Sequence, residues 1–253
     1  MEFFNTLSAE LFAIVFITAL IAGFLTSVAS AGSLIILPVL MSIGIPPINA
    51  MAITKAQGMV GLASATWSYA KLGYINFQRI RLAIVCSAIG ASIGVYLVQQ
   101  INVEVLELAI PILLILVALY LLISKEDFDQ PKSSRLNDKT FNIFAGSGAG
   151  FYDGLFGVGI GTFLIGAFRQ LRGDSITSAL AHAKPIIFSA LIAGTLVFAV
   201  MGHIKWSVVI VMGIGQAIGA YIGAHVAVKN GQRIIKPTIL IVTLTLAIKL
   251  LIS

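Results

Sequence analysis

Polar positions leave the chain for long stretches and return in short clusters. No Asp, Glu, Lys or Arg occurs from Leu11 to Thr54. A helix crossing a bilayer needs about 20 apolar residues, so this run is too long for one crossing. Backbone groups inside a membrane must be satisfied within their own segment, which helices achieve. The apolar runs therefore predict helices at about 48–71, 79–100, 105–124, 175–201, 206–228 and 235–252. Two further segments, about 9–45 and 141–172, are interrupted by small residues. One reads Gly23-Phe24-Leu25-Thr26-Ser27-Val28-Ala29-Ser30-Ala31-Gly32-Ser33, the other Gly150-Phe151-Tyr152-Asp153-Gly154-Leu155-Phe156-Gly157-Val158-Gly159-Ile160-Gly161. Glycine costs a helix about 1 kcal/mol relative to alanine, so each segment reads as a helix, a break and a second, short helix.

The elements repeat. Ala22-Gly23-Phe24 matches Ala149-Gly150-Phe151, Leu72-Gly73-Tyr74-Ile75 matches Met201-Gly202-His203-Ile204, and Gly90-Ala91-Ser92-Ile93-Gly94 matches Gly219-Ala220-Tyr221-Ile222-Gly223, in the same order. The chain thus divides into a membrane repeat at 1–124, a polar cytoplasmic linker at 125–140 and a second membrane repeat at 141–253. The expected fold is all-α: a polytopic integral membrane protein of two homologous, inverted repeats, each a glycine-broken helical hairpin plus three transmembrane helices. Internal repeats are a common plan for secondary transporters.

Basic residues argue for the inversion. If each broken segment returns to its starting side, twelve lysines and arginines share one side and only Lys205 and Lys249 the other, with Lys55 and Lys184 inside the membrane. If each crosses once, the division is nine against five. The positive-inside rule favours the first arrangement, with both chain ends outside. Composition agrees with a bilayer location: 58% of residues are hydrophobic and 10% charged, where soluble domains carry roughly 25% charged residues. The net charge of +6 reads as topology-fixing loop charge, so no nucleic-acid partner is expected. Cys86 is the only cysteine, which leaves no internal disulfide or cysteine metal site. Neither a cofactor nor a metal is expected.

Few residues could carry chemistry. Lys55 lies about seven residues into its predicted helix, roughly 10 Å deep, and Lys184 about ten residues in, roughly 15 Å. Ala50-Met51-Ala52-Ile53-Thr54-Lys55 matches Ala179-Leu180-Ala181-His182-Ala183-Lys184, so the two are counterparts. A lysine near a membrane helix centre costs about 3 kcal/mol. Either the pair supplies positive charge to an anion site, or Lys55 snorkels to the interface. The breaks before Leu34 and before Thr162, with Gly32, Gly157, Gly159 and Gly161 around them, would present helix N-termini, whose free N–H groups favour an anion. Ser27, Ser30, Ser33, Thr54 and Gln57 could donate to a bound oxyanion. Asp153, whose counterpart is Thr26, could take up a proton during transport or neutralise Lys184. His182 could titrate near neutral pH or pack. The glycine stripes Gly90-x3-Gly94 and Gly215-x3-Gly219-x3-Gly223 read as helix packing. No catalytic motif appears, so an enzyme is not expected.

These residues resemble the TauE/SafE family of sulfite exporters, also called TSUP permeases. The hallmark is a glycine-rich GF-x-x-G-x-x-G-x-G-x-G stretch near the start of each half. Gly150 to Gly161 matches it well; the first half keeps Gly23-Phe24 and Gly32 but has Ser27, Ser30, Ser33 and Leu34 where glycines are usual. Gly44-Ile45-Pro46-Pro47, Thr54-Lys55-Ala56-Gln57, Phe151-Tyr152-Asp153-Gly154, Ala181-His182-Ala183-Lys184 and Gly231-Gln232-Arg233-Ile234-Ile235-Lys236-Pro237 are most similar to the YfcA-like branch. That branch usually has an acidic residue at position 26 and an asparagine at 54, and Thr26 and Thr54 depart from it. The resemblance implies a multi-pass inner or plasma membrane permease for sulfur-containing anions. It would act on a small anionic substrate from within the lipid bilayer, as a monomer or homodimer. An anion channel of the same shape and a carboxylate transporter are the alternatives.

Overall fold

The computed structural model describes residues 9–110, 112, 116 and 136–230. Every regular element among them is a helix: α1 (Ala9–Ala29), α2 (Ser33–Ser42), α3 (Pro47–Lys71), α4 (Phe77–Val98), α5 (from 103), α6 (Asp138–Leu155), α7 (Ile160–Arg172), α8 (Ile176–Val200) and α9 (Trp206–Asn230). The interruptions fall at 30–32 and 156–159. The helix expected at 235–252, the end of the one at 105–124 and most of the 125–140 linker lie outside the described residues. α6 begins at Asp138, inside the predicted linker, because the Asn137 side chain caps it by accepting from the Thr140 N–H.

α1, α4, α8 and α9 are long and apolar enough to cross a membrane. α3 matches α8 in length at 25 residues but carries Thr54, Lys55 and Gln57 buried in its interior. α2, with 10 residues, and α7, with 13, are too short for a hydrocarbon core about 30 Å thick. The outer surface is apolar at helical spacing: Ile14, Ile17 and Ile21 on α1, Val85, Ile89 and Ile93 on α4, and Ile210, Ile214 and Ile218 on α9 are all exposed. In water such stripes would be an aggregation hazard; against acyl chains they are the ordinary outer face of a multi-pass membrane protein.

Contacts fix the helix directions. Gly58 and Gly194 of α3 and α8 abut Leu191 and Lys55 respectively, and Asn49 at the start of α3 donates to the His203 carbonyl beyond the end of α8 at 2.8 Å. The two helices are therefore antiparallel. α9 runs with α3, as Val60 meets Gly213 and Ser64 donates to the Ala217 carbonyl at 3.0 Å. α1 runs with α9, through Phe16 against Gly215, Leu20 against Gly219 and Phe24 against Gly223. α4 runs with α6, through Ala83 against Gly146, Ser87 against Gly150 and Ala91 against Gly154.

These directions determine the path at the breaks. α1 and α3 both run from a first face, where α3 begins, toward a second face, where it finishes. The chain must come back between them, and α2 is the only element there to bring it. α6 and α8 likewise both run from the second face to the first, so α7 carries the chain back. Each interrupted segment is a hairpin that enters and leaves on one side. The glycine stripes make the seams: a Cβ on Gly146 would sit 2.7 Å from the Ala83 carbonyl oxygen, and one on Gly215 would sit 2.7 Å from that of Phe16.

Candidate functional site

The hairpin tips are built by backbone that helices reject. Ser30 has φ 54, a left-handed value that non-glycine residues rarely adopt, while Gly157 and Gly159 supply φ 70 and 74 without that cost. α2 and α7 start just beyond, and no side chain caps either one. The first-turn N–H groups of a helix have no partner within it, which makes each start a favourable place for negative charge. The tips touch: a Cβ on Gly161 would collide with the Ser30 side chain.

Each buried lysine reaches from one half into the tip of the other. The Lys55 ammonium, from α3, donates to the carbonyl oxygen of Asp153 and lies 2.9 Å from its Oδ2, with both side chains 2% exposed. The Lys184 ammonium, from α8, donates to the Thr26 carbonyl and, at 2.6 Å, to Ser30 Oγ. It is fully buried and has no carboxylate partner among the described residues. Thr26 and Asp153 hold corresponding places at the two tips, so the pattern is reciprocal in position and unequal in charge. Asp153 neutralises Lys55, not Lys184, because Lys184 reaches the tip where a threonine replaces the acid.

Beside these groups lies a cavity of about 50 Å³. This is more space than one water needs and far below the roughly 300 Å³ of a drug-sized pocket. Of the predicted residues, Ser30, Gly32, Ser33, Thr54, Lys55, Gln57, Asp153, Gly157 and Gly161 line it. Lys184, Gly159 and His182 do not. Lys184 stands behind the wall, and Gly159 is the backbone cap that aims α7.

His182 is engaged elsewhere. Its Nε2 accepts from the Asn76 N–H at 3.1 Å, leaving Nδ1 to donate to the Ser178 carbonyl at 2.9 Å, and its ring stacks on Phe168. It belongs to a polar cluster at the second face, where Arg79 pairs with Asp174 at 2.7 Å and Arg172 with Asp138 at 2.5 Å. The Arg172 guanidinium lies over the Phe141 ring. Arg169 and Arg172, which read in the sequence as loop charges, are buried at the end of α7.

Two residues have a larger part than their sequence context suggests. Thr26 lines the cavity and holds Lys184, and Gln216 of α9 lines it as well, with Nε2 3.3 Å from Thr26 Oγ1. The sequence signal for Gln216 was its polarity within a stripe of glycines. Gln57 also differs in detail: its amide nitrogen already donates to the Thr54 carbonyl at 3.1 Å, while its carbonyl oxygen has no partner.

Comparison with known proteins supplies the lineage. Residues 15–250 match the family model described as "Sulfite exporter TauE/SafE". The chain is 38% identical over 245 residues to a Sinorhizobium protein named "Probable membrane transporter protein ORF9", covering 97% of this chain and 94% of that one. It is 36% identical to the Escherichia coli "Probable membrane transporter protein YfcA", over 99% of this chain and 94% of the other. A Haemophilus influenzae "Probable membrane transporter protein" is 31% identical over 95% of this chain and 94% of its own length. No solved structure matches. With a family model covering nearly the whole chain and relatives aligned end to end, this protein belongs to the sulfite exporter TauE/SafE family.

Proposed function

We propose that the protein is a secondary transporter for small anions, most of all sulfur-containing oxyanions or organosulfonates, working by alternating access between two inverted repeats. The observation that carries this reading is the reciprocal seating of Lys55 and Lys184 on the opposite hairpin tips, beside two uncapped helix starts and a small cavity. Antiparallel α3 and α8, together with the matching pairs α1 with α9 and α6 with α4, support the inverted repeat. Broken helices meeting at a repeat interface are where such transporters bind their substrates.

The cavity provides an ammonium and helix N-termini for a negative solute. It is too small for a large one, which favours compact anions. An arriving anion competes with Asp153 for Lys55. A carboxylate deprived of its cation in a buried place is costly, so Asp153 takes up a proton as the anion binds, and the two move together. An open anion channel would need a continuous polar path, whereas this cavity is walled by Ile36, Leu37, Ile187 and Leu191.

The test is uptake of sulfite into proteoliposomes. We expect saturable uptake with counterflow, near-complete loss in Lys55→Ala, and little change in Lys71→Ala, whose side chain is exposed. Equal, mild effects of the two changes would refute the site.

A further inference from the structure

Gln57 offers this cavity something that a bare anion does not need. The side chain is 1% exposed and lines the cavity, and its carbonyl Oε1 has no hydrogen-bond partner. The orientation of the amide is not arbitrary. The Thr54 carbonyl beside it can only accept, so the NH₂ end must face Thr54 and the oxygen must be the free end. Gln216 is 2% exposed and lines the same cavity, with its amide 3.3 Å from the Thr26 hydroxyl, which can donate or accept. Buried carbonyl oxygens are ordinarily paired. Here the Gln57 acceptor, on a side chain lining the space that Lys55 and the starts of α2 and α7 make attractive to negative charge, has no partner.

We propose that the bound species is a monoanion that also carries a hydrogen-bond donor, such as a protonated oxyanion or a sulfonate bearing an amino or hydroxyl group, and that Gln57 selects for it. This rests on reading the cavity as an anion site. The anionic oxygens face Lys55 and the helix N–H groups, and the donor satisfies Gln57. A solute without a donor, including a halide or a fully deprotonated oxyanion, leaves that carbonyl orphaned on binding. A site with a buried polar group rejects ligands that cannot pair it.

Sulfamate and methanesulfonate make the comparison. Both are tetrahedral sulfonate monoanions of similar size, and they differ in an amino group against a methyl group. Titration calorimetry on the purified wild-type protein is expected to show sulfamate binding about tenfold tighter or more. In Gln57→Met, which keeps length and loses the carbonyl, the ratio falls to near one. Should that variant not fold, Gln57→Asn, which withdraws the carbonyl, reduces the ratio instead. Equal affinities in the wild type, or a sulfamate preference that survives loss of the carbonyl, would overturn the inference and leave the anion site standing. Failure of both anions to bind would overturn the anion site and this inference together.

Discussion

Ser30 and Asp153 show how much the two hairpin tips differ under one backbone plan. At one tip, Ser30 accepts a left-handed conformation that costs an L-residue roughly 1–2 kcal/mol, and among the described residues its hydroxyl and the Thr26 carbonyl hold the Lys184 ammonium. Ser30→Gly would relieve the backbone and take the hydroxyl away from Lys184. We expect that variant to fold normally and to lose anion affinity, read by calorimetry on the purified protein. At the other tip, Asp153 holds Lys55 at 2.9 Å. Asp153→Asn retains the shape and removes the carboxylate that we propose takes up a proton. Its sulfite uptake is expected to become indifferent to an imposed proton gradient, while the wild type responds; an unchanged response would remove Asp153 from coupling. Both lysines were legible in the sequence, as isolated charges deep in apolar helices. Their partners were not, since which tip each ammonium reaches depends on helices from opposite halves lying side by side. His182 was misleading for the same reason: two residues before Lys184, it faces Phe168 and Asn76 rather than the cavity.

At the scale of elements, glycine does two kinds of work. In the breaks it permits left-handed backbone; in α4, α6 and α9 it lets backbones touch. Gly148 and Gly150 separate the effects within one helix. Nothing lies within 4 Å of a Cβ on Gly148, whereas one on Gly150 would strike the Ser87 backbone. Gly148→Ala should leave stability unchanged or raise it by up to about 1 kcal/mol. Gly150→Ala should lower it by about 1–3 kcal/mol through overpacking, seen as a lower Tm in detergent. Similar Tm values for both would contradict the α4–α6 seam. Helix limits were readable to within a few residues from hydropathy and turn glycines, as α3 and α8 show. For the path through the breaks the sequence offered only the balance of basic residues, because a short apolar helix after a glycine run can continue across the membrane or return. Only the packing directions of α1, α3 and α9 decide for the return.

For the whole molecule, the same directions sort the charges. Among the described residues, Lys71, Arg79, Arg81, Lys139, Arg169, Arg172 and Lys229 lie toward the second face, and Lys205 lies toward the first. By the positive-inside rule the second face is expected in the cytoplasm. With Cys86 replaced by alanine, a cysteine at Lys71 is expected to react with an impermeant thiol reagent only from the cytoplasmic side, and one at Lys205 only from outside. The reverse pattern would invert the assignment, and reaction of both from one side would break the antiparallel arrangement of α3 and α8.

We propose that two re-entrant tips make an anion site in the middle of the protein. Selenite, the heavier analogue of sulfite, can be located directly by anomalous diffraction from soaked crystals. A selenium peak is expected between the starts of α2 and α7, within hydrogen-bonding distance of Lys55 Nζ. Selenium found only at the protein surface, or helices running unbroken through residues 30 and 157, would contradict it.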